Sequence, residues 1–165
     1  MVAFSLDSPG SQQTTGCQAR RLLRAHASGV RDRLRAYDQL AGRVRNESGP
    51  WVVTHGEPHA ANVIRAGEAR LLVDWDTVAL APPERDLWMP VVGGTDAAEI
   101  YVQETGTQLD VTALDFFRLT WDLKDLAEYL NVLRSPHQEN EDTVRQYQAL
   151  RGCAAIREEW AALLV

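Results

Sequence analysis

Apolar positions Leu23, Val30, Leu34, Tyr37, Ala41 and Val44 return at helical spacing between arginines. They predict an amphipathic helix from about Ala19 to Val44, interrupted near Gly29, with its basic face in solvent. Asn46 to Pro50 ends that helix, and Trp51-Val52-Val53 makes a short apolar approach to a polar loop beginning at His55. Beyond Asn62, the fragments Val63-Ile64 and Arg70-Leu71-Leu72-Val73 flank Arg65-Ala66-Gly67-Glu68-Ala69, the pattern of a β-hairpin with Asn62 at one end and Asp74 at the other. Pro82-Pro83 breaks the chain before a short helix opening on Glu84. Thr95 or Asp96 caps a helix running to about Glu104 and closed by Gly106. Asp110 caps the next, in which Leu119, Leu123, Leu126, Leu130 and Leu133 form one stripe that Phe117 and Trp121 widen. After Ser135-Pro136 a last helix is expected from about Glu139 to Leu164, with Val144, Tyr147, Leu150, Cys153 or Ala154, and Trp160 inward.

These elements make an α+β fold that is mostly α-helical, with a small β-hairpin carrying a polar loop. Residues 1–16 read as an extended lead-in and residues 17–165 as one domain. With 165 residues, 45% of them hydrophobic, the chain can bury a core and is not globally disordered. A net charge of −6 argues against a nucleic-acid binder and favours small cationic ligands. Cys17 and Cys153 lack the spacing of a zinc knuckle or a disulfide framework. No leader peptide or membrane span is evident, so a soluble cytoplasmic protein that binds no membrane is expected.

The chemistry concentrates in Thr54-His55-Gly56-Glu57-Pro58-His59-Ala60-Ala61-Asn62 and in Val73-Asp74-Trp75-Asp76. A carboxylate at Glu57 can orient a hydroxyl, while the amide oxygen of Asn62 and the carboxylate of Asp74 can hold Mg2+ beside a nucleotide's phosphates. Asp76 is a candidate support for the ion, the phosphates or the loop. His55 reads as a ring packed beneath the loop, and Asp86 as its partner or as an acceptor for loop backbone groups. Glu84, Trp121, Asp122, Asp125 and Glu128 are candidate contacts for a substrate bearing ammonium groups. A zinc hydrolase built on His55, His59 and Asp74 is weighed against this. The H-E-x-x-H pattern is missing, and Pro58 prevents one continuous helix from presenting both histidines.

His55-Gly56-Glu57 with Asn62, then Val73-Asp74-Trp75-Asp76, then Glu84-Arg85-Asp86-Leu87-Trp88, resembles the carboxy-terminal lobe of the aminoglycoside phosphotransferase and choline kinase-like superfamily. The arrangement is most similar to the actinobacterial spectinomycin or hygromycin phosphotransferase-like branch. The resemblance implies a protein-kinase-like bilobal fold and an ATP- or GTP-dependent, Mg2+-dependent O-phosphotransferase of the kind that inactivates antibiotics. By position it gives Glu57 the place of the catalytic carboxylate, Asn62 and Asp74 the metal, and Asp86 support of the catalytic loop. The general family pattern has Asp where this chain has Glu57, and a displacement of about 1 Å can cost about a hundredfold in rate.

The resemblance also implies an amino-terminal β-rich lobe with a phosphate-covering loop and a lysine on a strand. This sequence has no G-x-G-x-x-G, and its one lysine, Lys124, falls in a predicted helix. The expectation is therefore a carboxy-terminal lobe without its amino-terminal partner, weakly active alone, with homodimerisation or a swap of Met1 to Gly16 covering the apolar surface left open. The alternative is a non-catalytic small-molecule-binding module derived from such a kinase.

Overall fold

The computed structural model describes residues 14–47 and 49–154. The elements are α1 (Thr15–Ala25), α2 (Ala27–Glu47), β1 (Val52–Thr54), β2 (Val63–Ala66), β3 (Ala69–Leu72), β4 (Ala79–Ala81), α3 (Glu84–Val92), α4 (Ala97–Thr105), α5 (Val111–Arg134) and α6 (Glu141–Ala154). Short 3-10 turns occupy Ala60–Asn62 and Trp75–Thr77. The described chain is thus mostly helical with two small sheets, and its described residues divide into two compact units, those up to residue 32 with those from 123 onward, and residues 33–122.

In the first unit α1 packs against α6. Ala19, Leu126, Leu133, Leu150 and Ala154 form the buried cluster, with Leu22, Val30, Tyr129, Leu130 and Tyr147 against it. Thr14 caps α1 by accepting from the Cys17 amide. Thr15, already helical, ties that end to the chain before α6, its amide and hydroxyl both donating to Glu139 Oε1 at 3.0 Å. The lead-in expected through residue 16 therefore gives way to helix by Thr15, and residues 1–13 lie outside the described residues.

The helical break falls at His26, not at Gly29, which is buried inside α2. The hydrogen-bond ladder continues on both sides of it, from the His26 amide to Leu22 and from the Val30 amide to His26. From Arg33 onward the buried positions of α2 are Arg33, Ala36, Leu40 and Val44. Leu34 of the expected stripe is exposed, because those four positions, spaced three, four and four apart, set the inward face.

In the second unit α2 and α5 meet through Tyr37 and Phe116, ring centroids 5.3 Å apart, and Arg43 donates to Thr112 Oγ1 at 3.2 Å. Leu119 and Ala113 are fully buried. Asp110 opens α5 by accepting from the Thr112 amide at 2.8 Å. In α4 the Thr95 hydroxyl accepts from Ala97, and Gly106, with φ of 71°, closes the helix in the left-handed region where glycine carries no steric penalty.

The hairpin expected between Asn62 and Asp74 forms as β2 and β3, with Val63 opposite Leu72 and Ala66 opposite Ala69. A second antiparallel pair, β1 with β4, sets Thr54 opposite Ala79 and was not foreseen. In α6 the amides and side chains of Asn140 and Thr143 bond reciprocally at 2.9 and 3.0 Å, a capping box that buries Thr143. Val144, expected inward, is consequently exposed, while Leu150 and Ala154 face the core. Trp160 and the remainder of the expected helix lie outside the described residues.

Candidate active site

The polar loop is built on the end of β1. Immediately after it, the two carboxylate oxygens of Asp86, in the first turn of α3, accept from the His55 amide at 2.6 Å and the Gly56 amide at 2.7 Å. Such charge-assisted bonds are roughly twice as strong as neutral ones. Of the two partnerships open to Asp86, the structure shows the one with the loop backbone.

The His55 ring is buried and bonds on both edges. The Val73 carbonyl, 2.8 Å from Nε2, can only accept, and the Glu57 amide, 3.2 Å from Nδ1, can only donate. The proton therefore sits on Nε2, and neither nitrogen has a lone pair left for a metal. Trp75 meets this ring edge-on at 4.7 Å and donates its indole N–H to the Leu72 carbonyl at 2.8 Å. His55 thus joins the loop to the chain just beyond β3. Among the described residues no three His, Cys, Asp or Glu side chains form a metal-holding group.

Asn62 is 8% exposed, and its Nδ2 donates to the Glu57 carbonyl at 2.9 Å. Because a carbonyl cannot donate, the orientation of the amide is forced, and Oδ1 is directed away from that bond. The Asn62 carbonyl accepts from the Val73 amide at 2.9 Å, which continues the hairpin ladder and leaves Asp74 one residue beyond it. Two positions twelve apart in sequence are in this way carried to the same end of one hairpin.

Asp74 is exposed and has φ of 66° and ψ of 59°, the sole non-glycine residue with positive φ among the described residues. This left-handed turn ends the strand direction of Leu72-Val73 abruptly and starts the 3-10 turn that contains Asp76, also exposed. Glu57 is half-buried in the loop. The arrangement therefore offers a carboxylate, a carboxamide oxygen and a second carboxylate on segments bound to one another through His55, Asn62 and Val73.

The substrate candidates divide. Glu84 is 4% exposed, and its Oε1 accepts from the Asp110 amide at 2.7 Å, so it ties α3 to the start of α5 instead of facing a ligand. Trp121 is half-buried, with its ring centroid 6.0 Å from Trp88 and 6.1 Å from His59, two residues beyond Glu57. Asp122 is half-buried in the same unit. Asp125 and Glu128 belong to the other unit, where burial first, and then their charges with that of Cys153, raise the pKa of Tyr129. An open groove of about 480 Å³ in the second unit is lined by Val91, Ala98, Val102, Leu109 and Leu114 and by none of the site candidates.

Three participants were missed in the sequence. Thr77 donates its hydroxyl to the His55 carbonyl at 2.7 Å, Thr54 donates to the Ala79 carbonyl at 2.9 Å, and Arg85 reaches both threonines. Arg85 stands inside the Glu84-Arg85-Asp86 run, yet a single arginine in a first helical turn carries no sequence mark of such a role. Gly56 was the available signal, since its φ of 97° favours glycine and the Arg85 guanidinium occupies the space a Cβ would take.

Residues 10–129 match the phosphotransferase enzyme family known as APH. Protein StrN of Streptomyces griseus is 32% identical over 116 residues, 70% of this chain and 33% of that protein. The crystal structure of spectinomycin phosphotransferase APH(9)-Ia in complex with ADP and spectinomycin superposes with a TM-score of 0.68 at 21% identity, over 88% of this chain and 47% of that one. Its AMP-bound complex gives a TM-score of 0.63 at 19% identity, over 97% and 52%. This chain spans about a third of the StrN protein and about half of the solved phosphotransferase. By sequence it belongs to the phosphotransferase enzyme family, within the aminoglycoside phosphotransferase superfamily, and by structure it shares the fold of the spectinomycin enzyme.

Proposed function

We propose that the chain supplies the catalytic-loop lobe of an O-phosphotransferase that moves a phosphoryl group from ATP or GTP to a hydroxyl of a small cationic molecule, an aminoglycoside, aminocyclitol or amino sugar. The observation carrying this reading is the mutual locking of the Glu57 loop, Asn62 and the Asp74 strand end. Family membership and the nucleotide complexes of the solved relative support it.

In this reading the Glu57 carboxylate accepts the substrate hydroxyl's hydrogen bond and directs its oxygen toward the terminal phosphorus. The loose transition state asks for orientation more than for a strong base. Asn62 Oδ1 and the Asp74 carboxylate, both hard oxygen donors, fit Mg2+ and would hold it, with Asp76 as support. When bound, that ion neutralises charge on the phosphates. Asp86 and His55 keep the loop in shape, and the net charge of −6, with Asp122 and Trp121 in the same unit as Glu57, suits a cationic substrate.

The test is phosphoryl transfer followed by mass spectrometry, using spectinomycin and related aminocyclitols with ATP or GTP and Mg2+. The chain is assayed with and without a separately added β-rich nucleotide-binding lobe. Product that falls at least about a hundredfold in Glu57→Gln and Asp74→Asn, in line with the loss of a positioned catalytic group, supports the reading. Ligand binding without product under every condition would instead identify a non-catalytic binding module.

A further inference from the structure

We infer that Arg85 is a positioning residue that sets the spacing between the loop bearing Glu57 and the strand end bearing Asp74. The inference rests on the proposed roles of those two carboxylates. Arg85 is the second residue of α3. Its Nη1 donates to Thr54 Oγ1 at 2.7 Å and its Nη2 to the Thr77 carbonyl at 2.8 Å. Thr54 lies three residues before Glu57, and Thr77 three residues after Asp74. One rigid, planar group therefore spans the approaches to both carboxylates.

The acceptors are themselves fixed. The Thr54 hydroxyl spends its one proton on the Ala79 carbonyl at 2.9 Å, so the lone pair offered to Arg85 has a set direction, and the residue is buried. Thr77 is anchored by its hydroxyl's bond to the His55 carbonyl at 2.7 Å. The guanidinium also fills the space beside Gly56, where an added Cβ would collide with three of its atoms. Together with the φ of 97°, this suits glycine immediately before Glu57.

Arg85 and Asp86 divide the work. Asp86 binds the His55 and Gly56 amides and so acts on the loop alone. Arg85 is the residue of that pair that also reaches the segment following Asp74. Lysine at this position would keep the charge but, lacking a fork, would hold one acceptor at a time. The geometry thus separates a requirement for the fork from a requirement for the charge.

The experiment compares the chain with Arg85→Lys, Arg85→Ala and Thr54→Val, reading amide exchange by NMR and Mn2+ affinity in the presence of ADP. In Arg85→Lys the amides of His55, Gly56 and Val78 should exchange about tenfold faster or more, while Leu119 in α5 stays unchanged, and Mn2+ should bind about tenfold more weakly, equivalent to about 1.4 kcal/mol. Thr54→Val, which removes one acceptor, should show both effects in smaller measure. Wild-type exchange at the three amides in Arg85→Lys, or acceleration only in step with Leu119, would overturn the inference. So would local opening with unchanged Mn2+ affinity where the wild-type chain binds Mn2+. Should Arg85→Ala fail to fold, the other two variants decide. A wild-type chain with no Mn2+ site, in which Arg85→Lys still opens both segments, would defeat the phosphotransferase reading while upholding the clamp.

Discussion

The first unit and the segments around Glu57 in the second are ordered by different forces. In the first, Ala19, Leu126, Leu133, Leu150 and Ala154 exclude water from one another. Around Glu57 the fixing contacts are directional bonds from Asp86, His55, Asn62, Thr77 and Arg85 to backbone or hydroxyl groups. The strands there leave their outer apolar pairs, Val53 with Leu80 and Ile64 with Leu71, exposed. Apolar packing tolerates exchange of one shape for another of similar volume, whereas a hydrogen-bond network specifies positions and fails when one partner is lost. That is the property a site needs if oxygens from separate segments must meet.

Asp86→Ala is the sharpest way to break this contrast. It leaves the His55 and Gly56 amides without their acceptor, and with each bond to a charged group contributing about 1.5–3 kcal/mol, a loss of about 4 kcal/mol is expected in urea denaturation. A cost near that of a surface substitution would mean the network does not order the loop. Leu150→Ala comes next, at about 3 kcal/mol for a fully buried leucine, with the folded chain's Mn2+ affinity unchanged because the damage is confined to apolar packing.

The smallest effect is expected at Asp115 on α5, where desolvation raises the carboxyl's pKa and Arg118 partly opposes the rise. A carboxyl whose folded pKa is raised contributes fully below its unfolded value of about 3.9 and loses that contribution as pH climbs through the folded value. Asp115→Asn should therefore raise the melting temperature slightly at pH 7 and leave it unchanged near pH 3. A gain at both pH values would assign the effect to packing.

Helices and the β2–β3 hairpin were legible because periodicity and the Gly67 turn are local signals. The pairing of β1 with β4 was not, since Ala79-Leu80-Ala81 shows no alternation and its partner lies 25 or more residues earlier. Glu84 looked like a ligand contact because an acidic residue at a helix start is ordinarily exposed. Its burial depends on the Asp110 amide, which only the fold brings near. In the first turn of α6 the inward residue is Thr143 and not Val144 because a capping box took Thr143 inside, while Leu150 and Ala154 face the core as expected. Glu57, Asn62 and Asp74 stood out by residue type and spacing, but the groups that hold their segments together, Thr54, Thr77 and Arg85, are residues whose role exists only in three dimensions.

The central claim is that Asn62 and Asp74 hold one hard cation beside Glu57. Titrating the isotopically labelled chain with Mn2+ in the presence of ADP tests it directly, because a paramagnetic ion broadens signals according to distance. The account predicts early, saturable broadening at the Asn62 side-chain amide and the Asp74 and Glu57 backbone amides, lost in Asp74→Asn. Broadening centred elsewhere, or none at these positions at millimolar Mn2+, would contradict it.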